Sequence, residues 1–458
     1  MIRLYDTASA TERELELRDR GRLSMYVCGP TVYDHPHVGH GRALLVYDVL
    51  RRYLEWSGIE VRHVSNITDI DDKIIARARR DGRGTDEVAA EFEAAWYTAV
   101  DALGVLRPHA DPHATAYVDD MVDLVARLVD SGHAYVTDEG VWLATDTVPG
   151  YGLLARQPLD SLRSGARVGV LASKRSALDF ALWKLTPGDE PSWPSPWGPG
   201  RPGWHTECVV MSLDLLGEDF DLHAGGADLT FPHHENERAQ AVALGRPFSR
   251  RWMHHAFVEV AGEKMSKSLG NFTTLTDLLA AHDPRAYRLL VLQSQYRKPM
   301  EVTPATLDAA TRSLAALDDL ARRAAVVPVA PADATAMASF RSRMDDDLDT
   351  PGVIADVAQV RRRANALLDA GDDAGAAPLV AAVAEIAGVL GLELRGGATT
   401  VGGGGGGAGL PADVAARLVE RDGARAGRDW AAADRIRASL EADGWVVEDT
   451  PGGTRVHR

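Results

Sequence analysis

Cysteine is nearly absent from this 458-residue chain, with only Cys28 and Cys208 present. That excludes a disulfide framework and leaves one bridge, two inert buried thiols or a pair of metal ligands as open readings. Long apolar runs are missing too, none approaching the ~18 residues of a membrane span. The opening Met1-Ile2-Arg3-Leu4-Tyr5-Asp6 has neither the basic nor the apolar region of a secretory signal, so a cytoplasmic protein is expected. An excess of positive charge is also lacking. The formal net charge of −16 argues against a surface built for indiscriminate nucleic-acid binding. It leaves room for a structured RNA docked on local basic patches. What is present is ordinary globular material, 45% hydrophobic and 25% charged, in a length that suggests roughly three domains.

The pattern along the chain predicts an α/β protein. Residues 23–27 read as a strand that stops at Cys28-Gly29-Pro30. His37-Val38-Gly39-His40 then opens an amphipathic helix over 43–56, and residues 59–64 read as a second strand. Such a βαβ unit holds ligands where the loop leaves the first strand, and the helix N-terminus there suits phosphate. Polar residues 65–73 follow the second strand, and helical patterns cover 85–103 and 116–128. Short strands and turns over 132–201 read as an insertion. The parallel pattern resumes near Gly203, with a strand at 220–223, a glycine turn at Ala224-Gly225-Gly226, a helix from about Pro232 and a strand at 256–260. Residues 304–394 read as a helix bundle, the six glycines 402–407 as a flexible linker, and 411–458 as two helices and a hairpin.

Three constellations carry chemistry. His233 and Glu237 are spaced i,i+4 and could grip one ion together with Cys28 and Cys208. His234 and Glu237, at i,i+3, fit as well, so spacing leaves the histidine open. No local CxxC is present, and on spacing alone two inert thiols are the plainer reading. Lys264 and Lys267, among serines with Gly262 and Gly270 nearby, form a cationic loop able to close over phosphates. Gly225-Gly226-Ala227-Asp228 offers a backbone that a base can approach and an acid for ribose hydroxyls, although a capped turn explains it almost as well.

Together these pieces resemble a known class. His37-Val38-Gly39-His40 is similar to the HIGH signature of class I aminoacyl-tRNA synthetases, and Lys264-Met265-Ser266-Lys267-Ser268 matches their KMSKS signature letter for letter. The stretches 26–34, 66–73, 203–205 and 231–237 resemble the cysteinyl-tRNA synthetase family, and the likeness runs over nearly the whole chain. It implies a Rossmann-type parallel sheet with an insertion domain, then a helical bundle and a small α+β module. The implied divisions are 1–131 and 202–261 for the two catalytic halves, 132–201 for the insertion and 262–303 for the lysine loop and stem-contact region. The bundle would then be 304–395, the linker 396–410 and the anticodon-binding module 411–458.

The resemblance further implies zinc on Cys28, Cys208, His233 and Glu237, and Mg²⁺ with ATP. His37, His40, Lys264 and Lys267 are the implied catalytic groups. ATP would meet Thr31, His37, Gly39, His40, Gly225, Gly226, Asp228 and Lys267, and cysteine would meet Gly29, Thr68 and Trp204. The implied partners are tRNA(Cys), ATP and L-cysteine, and the implied state is a monomer. Two departures stand out: Val38 replaces isoleucine in the first signature, and Ala224 replaces a third glycine. A superfamily ligase that passes cysteine to an amino-sugar acceptor shares these motifs, but gives no reason for the C-terminal module with Trp430. A noncatalytic zinc and RNA-binding protein gives no reason for His37, His40, Lys264 and Lys267 together.

Overall fold

A hairpin of β1 (Arg3–Asp6) and β2 (Thr11–Glu14) precedes β3 (Arg22–Val27), the strand on which the nucleotide-binding half is built. From Leu23 to its end β3 is buried, as expected of a strand inside a parallel sheet covered on both faces. The polar loop 28–37 leads into α1 (Val38–Trp56), which returns the chain to β4 (Glu60–Ser65), parallel to β3 in register Val27 with Ser65. The computed structural model describes residues 2–156, 174–186, 188, 190–260, 263–264, 274–396, 412–426, 429–443, 445–450 and 453–457. Residues 402–407, read as a linker, lie outside them.

After α2 (Asp72–Asp81), α3 (Thr85–Ala102) and α4 (Val118–Asp130), the insertion contributes an antiparallel sheet. Its strands are β5 (Ala134–Thr137), β6 (Gly140–Leu143), β7 (Phe180–Leu185) and β8 (Gly200–Pro202), in sequential order. α5 (Trp204–Leu216) then carries Cys208 into the core, where it is packed with Tyr26, Leu182 and Trp183. β9 (Leu222–Gly226), α6 (Glu235–Ala243) and β10 (Trp252–His255) complete the parallel sheet, in the order β10-β9-β3-β4. From β3 the chain moves one way to β4, and from β9 the other way to β10. The crevice between the carboxyl ends of β3 and β9 is therefore a topological switch point, where such sheets bind ligands.

Two readings need correction here. Ala224-Gly225-Gly226 is the end of β9, paired with Met253, His254 and His255, and forms no turn. The glycines serve close packing: a Cβ on Gly225 would lie 2.9 Å from both His234 and Leu229. Ala224, fully buried, sits in mid-strand. The strand read as 256–260 is shorter and lies outside the parallel sheet: β10 ends at His255, and β11 (Val258–Val260) belongs to a separate small sheet with β12 (Glu263–Lys264) and β13 (Met300–Glu301).

Helices α7 (Leu275–Ala281) and α8 (Pro284–Leu292) precede β13. Helices Pro304–Arg323, Ala334–Asp345, Thr350–Asp369 and Asp373–Val389 follow it. The chain divides into two compact units, Met1–Leu317 with Pro328–Leu394, and Asp318–Val327 with Arg395–Arg458. The second contains helices Ala412–Ala426 and Trp430–Ala442 and the hairpin Val446–Thr450 with Gly453–His457, closed over Val414, Leu440 and Val447. Among the described residues, no helix is long and apolar enough to cross a membrane.

Buried imidazoles make the fold acid-sensitive. His63 on β4 is nine-tenths buried, with both ring nitrogens lacking a hydrogen-bond partner. Burial, then the nearby Arg51, pulls it down to about 3. His255 is likewise held at about 3, by burial and then Arg42. The unfolded chain takes up these protons near pH ~6.5 and the folded chain does not, so stability is intact above that pH and lost as pH falls. At pH 5 each imidazole should cost about 2 kcal/mol. Thermal melts at pH 7 and pH 5 should show the loss, and His63→Leu should flatten the slope by about one proton.

Candidate active site

The first turn of α1 forms the floor of the site. His37 is its N-cap, in extended conformation, and its Nδ1 accepts from the His40 N–H at 3.3 Å. The Nδ1 of His40 accepts in return from the His37 N–H at 3.1 Å. This reciprocal capping box stacks the two rings, with centroids 3.7 Å apart and planes at 15°. Gly39 permits it, since a Cβ there would lie 2.9 Å from the His37 ring. With both Nδ1 atoms accepting, each ring carries its hydrogen on Nε2. Burial, and after it His37, holds His40 well below its ordinary value, so that ring is neutral at pH 7.

A solvent-open cleft of about 1240 Å³ runs over this turn and the switch point. Cys28, Gly29, Thr31, His37, Gly39, His40, Trp204, Gly225, Gly226 and Asp228 all line it. Gly29 is required by close packing, because a Cβ would fall 1.6 Å from the Asn66 carbonyl oxygen. Gly226 sits similarly against Asp228, whose Oδ1 would be 2.4 Å from a Cβ.

At one end of the cleft, ligand atoms of Cys28, Cys208, His233 and Glu237 lie within 4.8 Å of one another. The two sulfurs are 3.8 Å apart, and His233 Nε2 lies 3.7 Å from Cys208 Sγ and 2.9 Å from Glu237 Oε1. Two Zn–S bonds of about 2.3 Å at a tetrahedral angle span about 3.8 Å, so the sulfur spacing fits such an ion. A second set, Cys28 with His223, His234 and Glu237, is equally close. His234 Nε2 reaches Cys28 Sγ at 3.3 Å, while its Nδ1 meets His254 Nε2 at 2.8 Å.

By themselves the four side chains favour deprotonated Cys208 and Glu237 but protonated Cys28 and His233: burial opposes charge on His233, yet Glu237 and the hydrogen bond with Cys208 raise it to about 10. The hydrogen bond from Cys28 pulls Cys208 down to about 6 against the opposing effect of burial, while burial pushes Cys28 up. Burial also opposes charge on Glu237, but His223 and His233 hold it well below the usual carboxylate range. His205 Nδ1 meets His233 Nδ1 at 2.9 Å, and His223 Nε2 meets Glu237 Oε2 at 2.6 Å, so outer partners orient both groups. Trp204 stacks on His233 with ring centroids 3.9 Å apart.

Thr68, expected beside the amino acid, stands apart from the cleft lining. It is buried behind Asn66, and its hydroxyl donates to Glu207 at 2.8 Å. Lys264 ends β12, and Lys267 lies outside the described residues. The fold also adds side chains that the sequence did not single out. Trp96 on α3 meets His40 edge-on at 5.7 Å, and Lys73 lies over the Tyr33 ring at 5.2 Å, both lining the cleft. Lys73 sits at the start of α2, after the Asp-rich loop that follows β4, and was within reach of sequence reasoning. Trp96 was one apolar position among many on its helix.

The chain, with its cleft at a parallel-sheet switch point and paired imidazoles at a helix start, belongs to the class I aminoacyl-tRNA synthetases. Residues 14–312 match the family described as tRNA synthetases class I (C) catalytic domain, and residues 339–395 match the DALR domain. The fold is similar to that of the Mycobacterium tuberculosis methionyl-tRNA synthetase in complex with methionyl-adenylate. That likeness has a TM-score of 0.61 at 16% identity, over 81% of this chain and 90% of the other.

Within the class, the chain belongs to the cysteine–tRNA ligase family. It is 44% identical over 471 aligned positions to the cysteine–tRNA ligase of Alkalilimnicola ehrlichii, with 100% of both chains covered. It is 45% identical over 472 positions to that of Ralstonia nicotianae, covering 99% of this chain and 98% of the relative. These matches give the amino-sugar rival no support.

Proposed function

We propose that this enzyme charges tRNA(Cys) with L-cysteine in two steps. The cysteine carboxylate attacks the α-phosphate of ATP, forming cysteinyl-adenylate and releasing pyrophosphate. A hydroxyl of the 3′-terminal ribose then takes the cysteinyl group, and AMP leaves. The observation that carries this reading is Cys28, which lines the cleft of the two signature imidazoles while its sulfur belongs to the four-donor cluster. Groups suited to a thiol and groups suited to phosphates therefore meet at one strand end.

Cys28, Cys208, His233 and Glu237 would hold zinc, being two soft sulfurs, an imidazole and a carboxylate. The second set has a single sulfur against two in the first, and is the less thiophilic of the two. Bound on the first set, zinc supplies a thiophilic Lewis acid beside the amino-acid pocket, which a thiol meets by ionising and an alcohol does not. Serine is rejected on that difference, because pocket shape alone separates near-isosteres by only about 1–3 kcal/mol. Gly29 and Trp204 frame the amino acid, and Thr68 supports that wall from behind through Asn66.

In-line displacement at phosphorus needs positioning and charge stabilisation more than covalent help. His37 and His40 present their Nε2–H groups to phosphate oxygens, and Lys264 and Lys267 neutralise the β- and γ-phosphates of ATP, which carries Mg²⁺. The bare backbone of Gly225 and Gly226 receives adenine, Asp228 accepts from a ribose hydroxyl, and Thr31 and Gly39 border the phosphates. The test is aminoacylation of a tRNA(Cys) transcript with cysteine, with zinc quantified on the same protein. Stoichiometric zinc and cysteine-specific charging are expected, whereas charging of a sugar amine in place of tRNA overturns the reading.

The C-terminal unit supplies an RNA contact in the same reading. Trp430, 58% exposed at the start of its helix, offers a flat apolar face to a base. Stacking of that kind is worth about 1–3 kcal/mol. Trp430→Ala should therefore raise the KM for tRNA about five- to a hundredfold and leave ATP–pyrophosphate exchange unchanged. Equal tRNA kinetics in the variant would assign Trp430 to packing of its own unit.

A further inference from the structure

Arg42 lies two residues beyond His40 on α1 and is completely buried. Its terminal nitrogens donate to four main-chain carbonyls: Phe257 at 2.7 Å, Lys298 at 2.6 Å, and Gln295 and Tyr296 at 3.2 Å. Among the described residues no carboxylate pairs with it, and its Nε has no hydrogen-bond partner. A buried, unpaired guanidinium is a poor device for stability, since an apolar side chain of similar volume often does as well. What it supplies is geometry.

Two of the carbonyls it grips also join two distant segments. The Phe257 carbonyl also accepts from the Met300 N–H at 3.1 Å, and the Tyr296 carbonyl from the Ala256 N–H at 2.8 Å. Phe257 immediately precedes β11, which pairs with β12, and β12 ends at Lys264. The signature helix is thus tied by one side chain to the strand pair that carries the first lysine of the lysine loop. The far side of that loop is tied to the same helix entrance. The Leu275 N–H donates to the Pro36 carbonyl at 2.7 Å, and Thr274 bridges His37. Gly41 accepts the close approach there, since a Cβ would lie 2.9 Å from Leu275 and from Tyr287.

We infer that Arg42 is a positioning residue for adenylate formation, holding the β11–β12 strand pair that carries Lys264 to the helix of the two signature imidazoles. It acts through the main chain of residues 256–264 and touches no substrate. The inference rests on the assignment of Lys267 to the phosphates, proposed above. It separates Arg42 from the amino-acid pocket, whose walls come from the ends of β3 and β4 and from α5.

The experiment is a double-mutant cycle with Arg42→Lys and Lys267→Ala, read by cysteine-dependent ATP–pyrophosphate exchange. Arg42→Lys keeps the charge but loses the fork that spans four carbonyls. It should lower kcat about 10- to 100-fold, the scale of a misplaced catalytic group, with the KM for cysteine and the zinc content unchanged. Added to Lys267→Ala it should cost little more, because both weaken the hold of the signature lysines on the phosphates. Should Arg42→Lys fold poorly, Arg42→Met, which removes the charge but retains an unbranched apolar side chain, carries the same cycle. Unchanged kcat in Arg42→Lys, or losses that multiply fully with those of Lys267→Ala, overturns the inference alone. Undiminished exchange in Lys267→Ala overturns the lysine assignment and this inference with it.

Discussion

Replacing Cys208 by serine should release the zinc and lower cysteine-dependent ATP–pyrophosphate exchange by about a thousandfold, the scale of several kcal/mol of lost Lewis-acid stabilisation. The substitution is mild sterically, since Cys208 is 1% exposed and a hydroxyl there could donate to Asn66 Oδ1, which lies 3.7 Å from the present sulfur. The fold should therefore survive, and the far-ultraviolet spectrum and melting point should shift little. What is lost is an ionisable donor. The thiol at Cys208 is already drawn down to about 6 by the hydrogen bond from Cys28, and an alcohol ionises at no accessible pH. The preference for cysteine over serine should collapse together with the activity. Metal analysis beside exchange assays with both amino acids checks this, and a variant that kept both zinc and preference would refute the zinc assignment.

His40→Ala should lower the rate of adenylate formation by about 10²–10³, as removal of one preorganised donor to a developing charge does elsewhere. Cysteine binding should hardly change, because His40 belongs neither to the donor cluster nor to the proposed amino-acid wall of Gly29 and Trp204. The variant also loses half of the capping box, at a cost of about 1 kcal/mol in stability. His40→Gln separates the two roles. Glutamine is a normal partner at the third helical position of a capping box, so this variant should regain stability while the rate stays low. Recovery of the rate by glutamine would assign His40 to helix capping instead. A flat rate between pH 6 and 8 is the accompanying expectation, because burial keeps the His40 ring neutral across that range.

Legibility in the sequence followed the range of the interactions. The unit β3, loop and α1 could be read directly, because a buried strand, a glycine-proline break and a 3.6-residue period are local signals. The two-helix and hairpin ending was legible for the same reason. Gly225 and Gly226 were misread as a turn, since glycine is the usual mark of one; the cause is close packing of Gly225 against His234 and Leu229 and of Gly226 against Asp228, side chains of the segment that leaves the strand. Thr68 was taken for a wall of the amino-acid pocket, but its hydroxyl is spent on Glu207, brought in by α5.

By itself the sequence determined that Cys28 ends a strand and that His37 and His40 begin the following helix, because both follow from neighbours in the chain. From residue spacing it could not choose between His233 and His234, as both lie within a helical turn of Glu237. The tertiary structure brings both histidines to the sulfurs. It decided that Cys208, 180 residues beyond Cys28, comes within 3.8 Å of it, which needs the β3–β9 pairing and the burial of α5. It also decided that a cation two residues past His40 closes on four carbonyls of chain segments more than 200 residues away. No local pattern encodes such a contact, because a buried arginine without a carboxylate looks, in sequence, like any charged residue on a helix.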